Sequence, residues 1–196
     1  NRSPSPFFKF FLKQQLIWVP ILGPVWWALD YPFMRRYSRE QIRQRPELAG
    51  KDLQTARAAC EKYRRLPVTV LNYVEGTRFT PAKQKAQNSP YQHLLRPKTG
   101  GLALAVAALG EQTDKMLDVT IAYHGGATGF WGFMKGEMRE VSVDIREIPI
   151  PAEWREADYS SDREFRARAQ SYMAELWQAK DERISSMLSS PGKRPA

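Results

Sequence analysis

Three short apolar segments constrain the fold of this chain more than any other feature. Residues 66–74 (LPVTVLNYV) and 117–123 (LDVTIAY) are rich in β-branched side chains, which is typical of buried strands. Between them, residues 101–110 (GLALAVAALG) have the length and apolar content of a short buried helix. Strands separated by helices predict an α/β fold, layered, with a mainly parallel central sheet flanked by helices. In such folds ligands bind beyond the carboxyl ends of the strands.

Two further elements are predicted toward the C-terminus. Residues 141–146 alternate between apolar and polar side chains, which predicts a strand with one solvated face near a sheet edge. Residues 162–188 have the periodicity of a long C-terminal helix. Ser161 and Glu164 match a capping box at its start.

One cysteine and two histidines limit the chemistry that these 196 residues can carry. Cys60 excludes a disulfide framework and a Cys-rich zinc site, and it falls on the apolar stripe of a helix predicted over 50–65. His93 and His124 are too few for a three-histidine metal site, so we predict no metal. The length predicts a single domain, 1–196.

The positive charge of the chain is concentrated in its first half. The net charge is +9, but residues 1–100 hold 18 basic against 6 acidic side chains, and residues 101–196 hold 12 against 15. A basic half indicates an anionic partner, which leaves nucleic acid, anionic lipid, a phosphorylated substrate and an acidic protein open. A plain solvated surface would show the same excess.

Aromatic side chains are dense over residues 7–34, and arginines follow them directly. Aromatic rings beside cations suit a membrane–water interface, although core packing or a tunnel for an apolar ligand would give the same pattern. Residues 14–29 carry no charge, but Pro20 and Pro24 interrupt them and a spanning helix needs about 20 apolar residues. We therefore predict no transmembrane helix in this chain.

The sharpest functional candidate is the tetrapeptide Glu75-Gly76-Thr77-Arg78, which follows a predicted buried strand. Glycine lets the backbone approach a ligand closely, and arginine offers a planar fork of donors to phosphate or carboxylate. Glu75 could orient Arg78 by an ion pair. The alternative is an ordinary turn with a surface Glu75–Arg78 pair, which contributes about 0–1 kcal/mol.

Three other candidates are weaker. The basic pair at 35–36 is usually solvated surface, and segment 98–101 (KTGG) precedes the apolar helix, where free N–H groups favour anions. Ordinary N-capping by Thr99 is the simpler account of that segment. His124 could act as a general base, but no G-x-S-x-G nucleophile motif is present, so we expect a turn or hydrogen-bonding role. No role is predicted for His93.

Four segments together resemble one enzyme family. YVEGTRFT (73–80), LDYPFMRRYSR (29–39), LLRPKTGGLALAV (94–106) and LDVTIAY (117–123) resemble, in order and spacing, blocks of the glycerolipid acyltransferases. The chain is thereby identified as similar to the 1-acyl-sn-glycerol-3-phosphate acyltransferase (lysophosphatidate acyltransferase) family. Its pattern looks closest to a bacterial inner-membrane branch.

The resemblance implies a function and a set of site residues. These enzymes pass a fatty acyl group from acyl-CoA or acyl carrier protein, without a cofactor, to the free hydroxyl of a lysophospholipid. The phosphate of the acceptor would be held by Arg36, Glu75, Gly76, Thr77 and Arg78. The fold would be glycerolipid acyltransferase-like. The protein would work on a membrane surface, at the cytoplasmic face of the inner (plasma) membrane.

The chain departs from the family pattern at the catalytic dyad. In the family a histidine in an H-x4-D motif takes the proton of the attacking hydroxyl, and the aspartate orients that histidine. Neither His93 nor His124 is followed by an aspartate at this spacing. We therefore expect the dyad to lie upstream of residue 7, the chain to be N-terminally incomplete, and the printed chain to be inactive alone.

Two rival functions remain at this point. A non-catalytic membrane- or lipid-binding relative could have kept the fold and lost the dyad. Nucleic-acid binding rests on the basic balance alone, with no recognised binding motif and an acidic second half, so we predict no nucleic-acid partner.

Overall fold

The structure of the chain is a computed structural model that describes residues 7–10, 12–13, 17–29, 33–34, 43–45, 54–55, 58, 68–110, 113, 115–126, 128–157, 159 and 161–190. Their elements, in chain order, are β1 (Phe7–Phe10), β2 (Leu12–Lys13), α1 (Leu22–Ala28), β3 (Phe33–Met34), β4 (Val68–Leu71), α2 (Pro81–Ala86), α3 (Thr99–Leu109), β5 (Lys115–His124), α4 (Phe130–Met134), β6 (Glu140–Pro149), α5 (Glu153–Glu156) and α6 (Arg163–Ser189). Cys60 and most of the predicted helix over 50–65 lie outside the described residues.

The strands form three two-stranded pairs among the described residues. β1 pairs in parallel with β4, from Phe7 opposite Val68 to Phe10 opposite Leu71, and β2 pairs in parallel with β3. The longest pair, β5 with β6, is antiparallel over ten residues on each strand. The mixed α/β class and the long C-terminal helix are therefore confirmed. The predicted layered, mainly parallel central sheet is not seen among the described residues. The longest pair is antiparallel, because β5 pairs with β6, the strand that follows it in sequence.

The chain divides into two compact units, each built from separate stretches of sequence. The first comprises residues 1–76, 98–114 and 151–170, and the second comprises residues 77–97, 115–150 and 171–196. The prediction of a single domain over 1–196 stays a prediction. Among the described residues, no helix combines the length and the apolar character needed to cross a bilayer.

The core of the first unit is built on α3. Its small apolar side chains are mostly buried, as predicted from residues 101–110, and the helix packs against α5. Trp154 of α5 is 1% exposed and meets Phe165 edge-on, with ring centroids 6.0 Å apart. Tyr159 meets the same ring at 6.3 Å. Edge-to-face pairs of this kind add about 0.5–1.5 kcal/mol to the burial of their surface.

In the second unit, the polar face of the β5–β6 pair lies against α6. Thr120 and Ala122 are fully buried, whereas Leu117, Val119 and Ile121 of the alternate face are exposed. The prediction that residues 117–123 form a fully buried strand is therefore wrong. The alternation predicted over 141–146 is present, but its apolar members are the exposed ones: Val141, Val143 and Ile145.

Ion pairs explain why the polar face is the covered one. Lys180 of α6 contacts the Asp118 carboxylate and donates to Val119 O at 3.0 Å and to Thr120 Oγ1 at 3.1 Å. Arg183 lies 3.3 Å from the other Asp118 oxygen, and its Nε lies 3.2 Å from Asp144 Oδ2 without a well-aligned hydrogen bond. Buried charges require such partners, so the cations of α6 bring the carboxylates of both strands against the helix.

Helix α6 begins one residue later than the capping box predicts. Asp162 Oδ1 accepts a hydrogen bond from Phe165 N at 2.9 Å, so Asp162, and not Ser161, caps the helix. A carboxylate suits this position because it also interacts favourably with the helix dipole. Within the second unit, Trp177 Nε1 donates to Leu95 O at 3.0 Å, which ties the helix to the buried segment before α3.

Candidate functional site

The Glu75–Arg78 segment forms a turn just after β4. The Gly76 N–H donates to Tyr73 O at 2.9 Å, and Gly76 has a φ of 68°. This left-handed conformation costs a residue with a side chain roughly 1–2 kcal/mol, which explains the glycine. Glu75 is half-buried, whereas Gly76, Thr77 and Arg78 are exposed. The boundary between the two units falls after Gly76.

In the first unit, the side chain of Lys98 lies over Gly76. A Cβ built on Gly76 would lie 3.2 Å from Lys98 Cδ and 3.3 Å from Lys98 Nζ. The Lys98 N–H donates to Val74 O at 2.8 Å, so main chain and side chain both follow the turn. The prediction that Thr99 caps α3 is wrong, because Lys98 occupies the cap position and Thr99 is the buried first helical residue.

In the second unit, Lys83 braces the other half of the segment. Its Nζ donates to Thr77 Oγ1 at 2.7 Å and to Arg78 O at 3.2 Å. Lys83 reaches back because α2 starts immediately after the turn, with Thr80 as N-cap accepting from Lys83 N at 3.3 Å and Pro81 as the first helical residue. A hydroxyl that accepts a hydrogen bond keeps its own proton, so Thr77 can still donate to an anion.

Each unit therefore adds one lysine beside its own part of the segment, and neither lysine was predicted there from the sequence. Lys98 adjoins Gly76 and Lys83 adjoins Thr77 and Arg78. Ammonium groups and a guanidinium are the side chains that bind phosphate most readily. Arg36, the other arginine predicted at the phosphate site, lies outside the described residues, and the roles predicted for Glu75 to Arg78 stay predictions.

The two histidines occupy hydrogen-bonded positions in the second unit. His124 Nε2 lies 2.8 Å from Ser142 Oγ on the neighbouring strand and 3.9 Å from Glu140 Oε1, in agreement with the hydrogen-bonding role expected for it. His93 Nε2 lies 3.0 Å from Ser185 Oγ. Both side chains lie against neighbouring residues of the fold and lack an H-x4-D aspartate.

A buried carboxylate holds the loop that carries His93. Asp181 accepts from the backbone N–H groups of Gln92 and His93, each at 2.7 Å. These contacts are structural, because the carboxylate is used by the backbone and not by the imidazole ring. Within the described part of the chain, no group of three or more His, Cys, Asp or Glu side chains could hold a metal ion.

Comparison with known proteins points in one direction. No family model matches the chain, and no solved structure matches it significantly. A mouse protein is 30% identical over 151 residues, which cover 72% of this chain and 38% of the relative. Its name is 1-acyl-sn-glycerol-3-phosphate acyltransferase delta. The human gamma form of this acyltransferase is 29% identical over 164 residues, and the delta form of Macaca fascicularis is 28% identical over 182 residues.

These acyltransferases cover most of the chain but are themselves covered only in part. The human gamma match takes in 76% of this chain and 40% of the relative, and the macaque delta match takes in 88% and 43%. The chain thus spans less than half the length of the curated relatives that it matches. The similarity supports the family that the sequence motifs indicate.

Proposed function

We propose that this chain is part of a glycerolipid acyltransferase that transfers a fatty acyl group to the free hydroxyl of a lysophospholipid such as 1-acyl-glycerol-3-phosphate. The acyl donor would be acyl-CoA or acyl carrier protein, with no further cofactor. The observation that carries the proposal is the exposed Arg78 in a turn braced by Lys83, in a chain similar to 1-acyl-sn-glycerol-3-phosphate acyltransferases.

The proposed role of the segment is to hold the phosphate of the acceptor. Arg78 would supply a guanidinium, and Thr77 would donate its hydroxyl proton while Lys83 occupies its lone pair. Gly76 would give the anion access to the backbone, and Glu75 would influence the orientation of the turn. We retain Arg36 as a second guanidinium of the site.

The proposed reaction is attack of the acceptor hydroxyl on the thioester carbonyl. The hydroxyl loses its proton to a base, the oxygen forms the new ester bond, and the thiol leaves with a proton. By the family resemblance the base belongs to an H-x4-D motif, which the printed sequence does not contain. We therefore propose that this chain alone transfers acyl groups at least about 10²–10⁴-fold more slowly than a protein that has the base.

We also propose that the first unit rests on a membrane surface, at the cytoplasmic face of a bacterial inner membrane. The support is a group of exposed apolar side chains in and around α1: Trp18, Ile21, Leu22, Val25, Trp27 and Leu29. Tryptophan and uncharged aliphatic side chains are typical of helices that lie at the bilayer interface. The basic first half of the chain would favour anionic lipid and acidic acyl carrier protein.

The second candidate is a non-catalytic membrane- or lipid-binding relative. The observation in its favour is that neither histidine of the chain is followed by an aspartate at the family spacing. Both candidates would bind the lysophospholipid, but only the enzyme would convert it.

Two assays on the full-length protein separate the candidates. One measures phosphatidate formed from lysophosphatidate and acyl-CoA or acyl carrier protein thioester, and the other measures sedimentation with anionic vesicles. Transfer above the uncatalysed rate supports the enzyme. Vesicle binding without transfer supports the non-catalytic relative, and the absence of both contradicts the proposal.

A further inference from the structure

Lys98 lies beside Gly76 but has no role in the phosphate site proposed above. Its side chain covers Gly76, with Cδ and Nζ at 3.2 and 3.3 Å from the place of a Cβ on that glycine. Contacts at this separation are tighter than ordinary van der Waals distance, so a methyl group at residue 76 would push the ammonium aside. The glycine therefore serves the placement of Lys98 as well as its own positive φ.

The backbone of Lys98 is held on both sides. Its N–H donates to Val74 O at 2.8 Å, just before the turn, and its carbonyl accepts from Gly101 N at 3.3 Å in the first turn of α3. Thr99, the next residue, is buried, whereas the Lys98 side chain is exposed. The backbone of Lys98 is therefore fixed, and its ammonium group reaches solvent beside Gly76, where an anion could bind.

We propose that Lys98, which lies beside Gly76 in the first unit, binds the phosphate of the lysophospholipid acceptor. The inference rests on the proposed function. An ammonium on a flexible stem acts as a point charge with three donors, which suits phosphate oxygens and does not require the fixed fork of an arginine. The first turn of α3 carries no acidic side chain that would neutralise this charge.

A purely structural role is the competing explanation. Glu75 precedes Gly76 and is half-buried, so Lys98 could serve the turn through that carboxylate. In that case loss of the ammonium would lower stability and leave the affinity for phosphate unchanged. A structural role would therefore change the Tm, whereas a binding role would change the Kd for phosphate.

The experiment compares Lys98→Met and Lys98→Arg with the unaltered full chain. Titration calorimetry measures the Kd for a short-chain soluble lysophosphatidate and for the matching uncharged monoacylglycerol, and thermal unfolding gives the Tm. Lys85→Met is the matched control, because Lys85 is an exposed lysine on α2 for which no contact with the turn is observed. Arg78→Ala reports independently on the phosphate site.

We expect Lys98→Met to weaken lysophosphatidate binding about tenfold, in the range of one charge-assisted contact partly screened by water. Monoacylglycerol binding should not change, Lys98→Arg should retain most of the affinity, and Lys85→Met should match the unaltered chain. An unchanged Kd in Lys98→Met while Arg78→Ala binds weakly would overturn the role of Lys98 alone, as would a lower Tm without a change in Kd. If the unaltered chain does not prefer lysophosphatidate over monoacylglycerol, the proposed phosphate site fails as well.

Discussion

Removal of the Lys180 ammonium tests the ion-pair network that joins the β5–β6 pair to α6. In this network Lys180 contacts Asp118 and donates to Val119 O and Thr120 Oγ1, while Arg183 remains beside Asp118 at 3.3 Å. Lys180→Met keeps the length and the apolar stem of the side chain. The change therefore removes the charge and its hydrogen bonds with little change in volume.

The magnitude follows from the exposure of the two charged groups. The side chain of Lys180 is 10% exposed and that of Asp118 is 21% exposed, so solvent screens the pair only in part. Breaking one partner of a buried pair costs about 3–5 kcal/mol. Because Arg183 still neutralises Asp118, we expect a smaller loss, about 2–3 kcal/mol, which lowers the Tm by roughly 5–10 °C for a chain of this size.

Urea unfolding followed by near-ultraviolet circular dichroism gives the free energy for each variant. Lys115→Met is the matched control, because Lys115 pairs with Glu147 on the same two strands at 2.8 Å but both side chains are 57% exposed. Such a surface pair contributes about 0–1 kcal/mol. Equal losses for Lys180→Met and Lys115→Met would refute the assignment of a buried network.

Two further predictions concern the turn and the pH dependence. Gly76→Ala should lower the free energy of unfolding by about 1 kcal/mol and weaken lysophosphatidate binding. Gly136, with a φ of 74° and open space around it, is the control: Gly136→Ala should show a similar loss in urea unfolding and unchanged binding. Burial raises the pKa of Tyr91, Arg96 lowers it in part and Asp181 raises it further. Because the unfolded chain releases this proton first, stability should fall as the pH rises above about 10, and Tyr91→Phe should flatten that fall; an identical pH profile for Tyr91→Phe would exclude the buried phenol as its cause.

Two helices of this chain could be predicted from sequence, because the apolar pattern that determines their burial lies within each segment. The apolar run over 101–110 appears as α3, Thr99–Leu109, and the long periodic segment appears as α6, Arg163–Ser189. The strand over 117–123 was predicted to be buried, but the side chains of one of its faces are exposed. A period of two shows which residues share a face, but Lys180 and Arg183, distant in sequence, decide which face is covered.

The sequence predicts where the charged turn lies, but not which side chains surround it. A charged tetrapeptide after an apolar strand identified the segment Glu75–Arg78, because such residues do not belong in a core. Lys98 reaches Gly76 only through the backbone pairing of residue 98 with Val74, which no local pattern shows. The position of Lys83 could have been predicted. Thr80 and Pro81 start a helix directly after the motif, and the first turn of that helix brings Lys83 back toward the turn.

The kinetics of Arg78→Ala in the full-length protein test the central claim most directly. The claim is that this guanidinium binds the phosphate of the acceptor, so the variant should raise the KM for lysophosphatidate about 10–100-fold, the value of one charged hydrogen-bonded pair. The KM for the acyl donor should stay the same, and Arg139→Ala, which removes an exposed arginine between α4 and β6, should leave both constants unchanged. An unaltered KM for lysophosphatidate in a folded Arg78→Ala protein would contradict the account.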